Sequence, residues 1–383
     1  MKTDVLIVGG GPAGLATAIA LRRRGASVMV ADARKPPIDK ACGEGLMPDS
    51  LRDLGTLGIE VTSTDGASFR GIRFVNHGKE SAVATALFPP GENAGAGIGV
   101  RRQTLHARMV TRAEEAGVDL RWLTPVRLES SGKVKLAGNA VGYEWLVGAD
   151  GQGSQVRRWA GLEQGTILSR RFGFRQHFGV APWSSFVEVH WGVLGQAYVT
   201  PTGPDEVCVA AIVRDPHCKL QTLLAEMPRL RERLGGSSTN GSSPGSSPLD
   251  LERGALTTTR RLHRVARGRV ALVGDASGSV DAITGEGMGI AFREGLLLAE
   301  CLERGDLARY NRLHPAILRL PRTMTRAMLW MDRSAMLRDR AIRLLVSQPT
   351  LFERMLGVHL GEESICKFLA ADGLPMAWKL TMQ

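Results

Sequence analysis

The spacing of apolar residues changes character along the chain, and each change marks an element. Val5 to Val8 is a short continuous apolar run, as in a strand buried on both faces. The spacing then turns helical: Leu15, Ala18, Ile19 and Leu21 share one face, Arg22, Arg23 and Arg24 fill the last turn, and Gly25 follows. Val28 to Ala31 is a second buried run, closed by Asp32. This opening predicts a strand–helix–strand unit. Pro48 or Asp49 starts a short helix carrying Leu51 and Leu54, and short strands are expected at Gly71 to Val75 and Ala82 to Phe88. Leu105, Met109 and Ala113 recur at helical spacing. Lys133 to Leu136 and Glu144 to Val147 read as a hairpin, the second strand running into Asp150-Gly151, and a helix starts at Ser154.

Residues 166–230 alternate apolar and polar between tight turns, the pattern of an antiparallel sheet with one face buried; Leu220 to Leu234 reads as helix. Gly235 to Pro248 is a polar low-complexity loop. Arg269 to Val273 is again a buried strand, and Gly285, Gly287 and Gly289 open a long amphipathic helix to about Leu302. From about Tyr310 the chain is helical and basic. The class is α/β: a Rossmann-like nucleotide-binding domain from 1–160 and 260–305, interleaved with an antiparallel-sheet substrate domain from 60–100 and 161–259, then a helical C-terminal region at 306–383.

The polar residues between the first strand and helix change a fold reading into a chemical one. Gly9, Gly11 and Gly14 form GxGxxG. The first permits the tight turn, the second admits a pyrophosphate to the backbone, and the third lets helix and strand pack closely. Asp32 lies 18 residues after Gly14, where an acid can accept ribose hydroxyls. A glycine-rich turn serving no nucleotide would leave that acid unexplained.

Composition adds limits. With 383 residues, 43% hydrophobic and 23% charged, the chain is globular with ample core. No apolar run reaches the ~20 residues needed to span a bilayer, and the N-terminal apolar stretch is broken by GGGPAG, unlike a signal peptide. Five scattered cysteines without CxxC spacing fit a reducing cytoplasm and neither a zinc site nor a disulfide framework. The net charge of +11 is spread along helices and not gathered in a tail. It therefore suits an anionic cofactor or an anionic membrane face better than nucleic acid.

Several smaller features carry candidate chemistry. Cys42-Gly43-Glu44-Gly45 is a small-residue loop that lets backbone approach a flat ligand; a plain turn is the alternative. Arg101 and Arg102 oppose a helix dipole unless an anion lies nearby, so one is a candidate phosphate contact and a solvated pair is the alternative. Phe174, His177, His190, Trp191 and Tyr198 are the rings of the sheet region, and alternation turns only about half inward. His177, His190 and Tyr198 are candidate catalytic groups for polarising a phenol or enol. Cys42 reads as a small buried residue, a substrate-side residue or a covalent anchor for the cofactor. Met324, Met328, Met331 and Met336 read as core filling, with a lipid-facing basic helix as the minority reading.

Three blocks in order, GxGxxG with Asp32, GADG at 148–151 and GDA at 274–276 with the later glycines, resemble the flavoprotein hydroxylase superfamily, the fold of p-hydroxybenzoate hydroxylase. The resemblance implies FAD, with NAD(P)H as a transient reductant. It implies that Gly9, Gly11, Pro12, Ala13 and Gly14 cradle the pyrophosphate, and that Asp32, flanked by Ala33 and Arg34, holds the adenosine ribose. By the same resemblance Arg102 reaches the phosphates and Asp150 serves FAD and NAD(P)H. Asp275 meets the ribityl chain, and Gly285, Gly287 and Met288 lie beneath the pyrimidine end of the flavin. Val126 and the loop residues Gly43, Glu44 and Gly45 complete the implied cofactor set, which contains no metal.

Two departures matter. The proline that usually precedes the late glycines is Ala282 or Ile283 here, and CGEGL after Lys40, with TGEGMGIAF, is similar to the geranylgeranyl reductases, a branch that saturates isoprenoid double bonds. The aromatic YxWxFP motif of those reductases is not intact; AYVTPTG, ending at Gly203, looks more like the hydroxylases. The WxWxIP motif of flavin halogenases is absent. The reading is an FAD-dependent monooxygenase acting on a small hydrophobic, aromatic or polyketide-like substrate. The alternative is a geranylgeranyl-reductase-like saturase.

Overall fold

The computed structural model describes residues 2–77, 82–90, 95–129, 133–235 and 248–373. Most of the low-complexity stretch, 236–247, and the end of the C-terminal region lie outside the described residues. The first third runs β1 (Lys2–Val8), α1 (Pro12–Arg22), β2 (Val28–Ala31), β3 (Gly45–Leu46), α2 (Pro48–Thr56), β4 (Gly66–Phe69), β5 (Gly71–Asn76), β6 (Ala82–Leu87), β7 (Gly97–Val100) and α3 (Arg102–Glu115). The middle runs β8 (Asp119–Arg121), β9 (Val126–Leu128), β10 (Val134–Leu136), β11 (Asn139–Ala140), β12 (Gly142–Gly148), α4 (Gln155–Trp159), β13 (Gly165–Phe178), β14 (Val187–Trp191), β15 (Gly195–Gly203), β16 (Glu206–Val213), α5 (Leu220–Ala225) and α6 (Pro228–Arg233). The last part runs β17 (Arg253–Leu262), β18 (Ala266–Arg267), β19 (Val270–Leu272), α7 (Gly287–Glu303), α8 (Leu307–Ile317), α9 (Arg319–Arg333), α10 (Ala335–Ser347), α11 (Pro349–His359) and α12 (Ile365–Phe368).

The continuous apolar runs build one sheet, in the order β18-β19-β12-β1-β2-β8, parallel except for the β18–β19 edge. Covering both faces is what allows those strands to be apolar throughout. Helices α1, α3 and α7 pack on one face in a core that includes Ile7, Leu15, Met109, Val147 and Phe292. On the other face α4 and the small β11-β10-β9 sheet enclose Leu6, Met29, Leu146 and Leu272.

The structure corrects the hairpin expected between 133–136 and 144–147. β10 pairs with β9 and β11, whereas β12 lies in the central sheet between β1 and β19. The reason is burial. Leu146, Val147 and Gly148 are buried on both sides, which a hairpin exposed on one face does not offer, and the Ala137-Gly138 turn, both at positive φ, returns the chain into β11. The expected helix at 220–234 is likewise two short helices, because Pro228 cannot continue α5.

The alternating stretch forms a second sheet, ordered β17-β13-β16-β15-β14-β5-β6 and antiparallel except at β14–β5. Residues directly across from one another share a face. Arg175, Ala210, Tyr198, Val189 and Phe74 form one row, and Phe174, Ala211, Ala197 and His190 form the neighbouring row on the opposite face. The second face is closed by α5 and α6 over Phe174, Phe178, Val199 and Val209. The first face looks toward the nucleotide-binding sheet and, at its far end, packs under α10 and α11. Met324, Met328 and Met331 pack there as core filling, while Met336 is exposed.

Candidate active site

The glycine loop is built by close approach. A Cβ on Gly14 would lie 1.9 Å from the Gly9 carbonyl oxygen, so only glycine lets α1 start this near β1. The opposite side of the loop is open: a Cβ on Gly11 would meet nothing within 4 Å. Gly11 is the N-cap of α1 and supplies no capping side chain, and Pro12 and Ala13 follow in the first turn. The free N–H groups and the positive end of the helix therefore face that open side, where a phosphate fits.

Asp32 at the end of β2 is buried; its Oδ2 accepts the Gly10 N–H at 2.8 Å and its Oδ1 the Arg34 N–H at 2.8 Å. Ala33 and Arg34 beside it are exposed. The Thr124 N–H donates to the Asp32 carbonyl, and Val126 opens β9 two residues later. From α3, His106 Nε2 donates to the Gly10 carbonyl at 2.8 Å, which holds the helix against the loop, and burial pushes the pKa of this imidazole down. The two arginines at the start of α3 separate here. Arg101 is paired with Glu206 of β16, whereas Arg102, one turn before His106, keeps a buried Nε with no partner among the described residues.

The Cys42–Gly45 loop faces the first side of the second sheet. Glu44 sits in the left-handed region, φ 59°, which turns its side chain inward until only 1% is exposed. Glu44 Oε1 accepts the Arg102 N–H at 3.0 Å, and Oε2 lies 2.6 Å from His177 Nε2. The Thr200 hydroxyl donates to the Gly43 carbonyl, and the Cys42 sulfur accepts the Glu44 N–H at 3.4 Å. Gly45 enters β3 directly behind. Asp275, following β19, is half-exposed and paired with Lys40 at 2.8 Å. Gly285, φ 72°, ends the turn Ala282–Thr284; that turn is fixed by the Tyr198 hydroxyl, which donates to the Ile283 carbonyl at 2.6 Å. Gly285 and Gly287 border open space, and Met288 is buried at the start of α7.

A buried charge network links the loop to β13. Arg171, Arg175 and His177 are alternate residues and point to one face. Arg175 pairs with Asp39 and Asp250 at 2.6 Å each, and His177 Nδ1 lies 2.8 Å from Asp250 Oδ2. Burial works against a charged His177, yet the hydrogen bonds and charges of Glu44 and Asp250 outweigh it and raise its pKa above 6.5. Asp250, whose burial acts in the other direction, is held below 3.8 by its bonds to His177. Glu44, His177 and Cys208 bring one ligand atom each within 4.8 Å of one another. The adjacent Arg175 guanidinium already supplies the positive charge, and burial pushes the Cys208 thiol up, away from the thiolate a metal would need. The cluster is a hydrogen-bond network.

Not every residue singled out in the sequence joins this site. His190 lies on the other face of the sheet, bonded to Glu188 at 3.1 Å and to His77 at 2.9 Å. Burial takes His77 down to about 4, and Glu188, although burial opposes it, is held at about 2 by His190, Trp183 and Arg73. Asp150 spends both carboxylate oxygens on the start of α4, accepting from the Ser154 hydroxyl and from the Gln155 and Val156 N–H groups. Lys40, Asp39, Arg175, His106 and Asp250 were missed. Of these, only Arg175 carried a signal, its two-residue spacing from His177.

The open loop at Gly11, the uncapped α1 and the orphaned Arg102 Nε together fit a bound diphosphate. Residues 2–304 match a family model described as FAD binding domain, and the chain belongs to that family. It is an FAD-dependent oxidoreductase. A menaquinone reductase of Mycobacterium tuberculosis is 31% identical over 346 residues, covering 83% of this chain and 80% of that one. A 12-dehydrotetracycline 5-monooxygenase/anhydrotetracycline 6-monooxygenase of Streptomyces rimosus is 27% identical over 326 residues, 78% of this chain and 62% of that one. Among solved structures, a geranylgeranyl bacteriochlorophyll reductase-like protein of Thermoplasma acidophilum shares the fold with TM-score 0.72 at 20% identity, covering 97% of this chain and 98% of that one.

Proposed function

We propose that the protein is an FAD-dependent reductase that saturates a carbon–carbon double bond in the isoprenoid chain of a lipid such as a quinone, with NAD(P)H as reductant. The observation that carries this is the 31% identity to a menaquinone reductase, which extends across 80% of that protein and so includes the substrate-side sheet and not only the cofactor domain. The CGEGL loop and TGEGMGIAF, both similar to geranylgeranyl reductases, support it.

Bound FAD supplies hydride chemistry. Saturating a double bond also consumes a proton, and the chain offers a buried place to hold one, between Glu44 Oε2 and His177 Nε2 at 2.6 Å. His177 Nδ1 connects to Asp250, whose side chain is 26% exposed, so the held proton is replenished from solvent through two hydrogen bonds. Arg175 stands against both flanking carboxylates, 3.8 Å from Glu44 and 2.6 Å from Asp250. Tyr198, with burial raising its pKa far above the ordinary 10, stays neutral and keeps the turn before Gly285 in place.

Oxygenation is the second reading, favoured by the monooxygenase relative and by the AYVTPTG stretch. The product decides between them. With NAD(P)H and a polyprenyl quinone, a product that, after reoxidation of its ring, still carries two extra hydrogens in the isoprenoid chain supports reduction. A product of any hydrophobic substrate carrying an atom from labelled oxygen gas overturns it.

A further inference from the structure

We infer that the groove between α9 and the outer ends of β13 and β17 is a docking surface for an anionic lipid bilayer. The groove holds about 300 Å³ and is lined by Arg261, Arg322, Arg326 and Arg333 together with Leu168 and Trp330. It lies at the opposite end of β13 from His177, and it serves either reaction because it rests on the surface alone.

The charges come first. None of these four guanidinium groups forms an ion pair with a described residue. Burial, together with the like charges of Arg261 and Arg326, pushes the pKa of Arg322 down, so the cluster repels itself as it stands. The nearby acids are spent inward: Asp281 and Asp332 are buried and paired with Arg171, and Asp332 also with Arg214. A third acid, Glu294, acts on Arg322 but is buried and bonded to His314, Ser277 and the Gly274 N–H. A cluster of arginines with its neighbouring acids spent elsewhere, around an open groove, calls for an anionic partner.

The apolar residues say which kind. On α9, Arg322, Arg326, Trp330 and Arg333 follow at four-, four- and three-residue steps, so they share one face. Trp330 is 66% exposed, and Leu168 and its neighbour Ile167 on β13 are 60% and 40% exposed. A tryptophan and a leucine presented to water among arginines match the headgroup boundary of a bilayer. There the rings and aliphatic chains enter the apolar edge while guanidinium groups reach phosphates. No helix among the described residues is long and apolar enough to cross a membrane, so the contact is peripheral.

The test is flotation of the purified FAD-loaded protein with vesicles of phosphatidylcholine, with and without phosphatidylglycerol. Binding is expected only to the anionic vesicles, weakening with added salt. The triple variant Arg322→Gln, Arg326→Gln, Arg333→Gln is expected to lose at least tenfold in affinity, and Trp330→Phe to lose the fluorescence quenching produced by brominated acyl chains. Unchanged flavin content in both variants shows that the fold is intact. Equal flotation of wild type and triple variant overturns the inference. So does binding of inorganic phosphate at this groove without vesicle binding, or a shift from dimer to monomer on Trp330→Ser, which would make the occupant a second copy of the chain.

Discussion

At the scale of single residues, the two histidines proposed from the alternating stretch separate cleanly. His177 points at the loop carrying Glu44, whereas His190 faces α5 and α6 and serves Glu188. His177→Gln is expected to lower turnover by about tenfold or more, the scale of a lost proton donor, and to change the pH profile. His190→Gln is expected to leave turnover within about twofold, because its loss is confined to a buried ion network. Steady-state kinetics at matched flavin content measure both; equal losses in the two variants would contradict the assignment of faces. Strand alternation alone could state that the histidines differ in facing only if the register of β13 and β14 were known. That register is set by β15 and β16 between them.

At the scale of elements, local patterns were legible and distant pairings were not. β1, α1 and β2 followed from residues within one strand–helix–strand unit, where the demand for glycine at position 14 is met by its own neighbours. The pairing of Arg101 with Glu206 spans 105 positions, and that of His177 with Asp250 spans 73, so no spacing rule exposes either. The hairpin misread at 133–147 has the same origin: β12 finds its partners in β1 and β19, far away in sequence.

The β13-to-loop contact also makes a pH prediction. The folded pKa of His177 is raised above its ordinary 6.5, so its contribution to stability is fully present below that value and is lost as pH rises through the folded pKa. Asp250 is lowered below its ordinary 3.8, so its contribution is present above that value and is lost as pH falls through its folded pKa. The difference in Tm between wild type and His177→Gln is therefore expected to be greatest between these two ordinary values and to shrink at higher pH. A difference that stays constant from acid to alkaline pH would show that His177 contributes packing alone.

At the scale of the whole molecule, the chain leaves the parallel sheet twice, after β2 to make β5 and β6 of the second sheet and after α4 to add β13 to β17, and returns through β8 and then through β18 and β19. Loops from both passes, 42–45 and 275–287, thereby meet the same face of the second sheet, through Thr200, His177 and Tyr198. This convergence brings the Glu44–His177 contact and the turn before Gly285 to one face of the second sheet, the arrangement on which the proposed reduction rests.

Mixing the anaerobically reduced FAD-loaded protein with a polyprenyl quinone, and following the flavin spectrum while the quinone is analysed by mass, tests that claim most directly. The account predicts that the flavin is reoxidised without oxygen and that the lipid gains two hydrogens in its side chain. Flavin that stays reduced until oxygen is admitted, followed by transfer of an oxygen atom to a hydrophobic substrate, would contradict it.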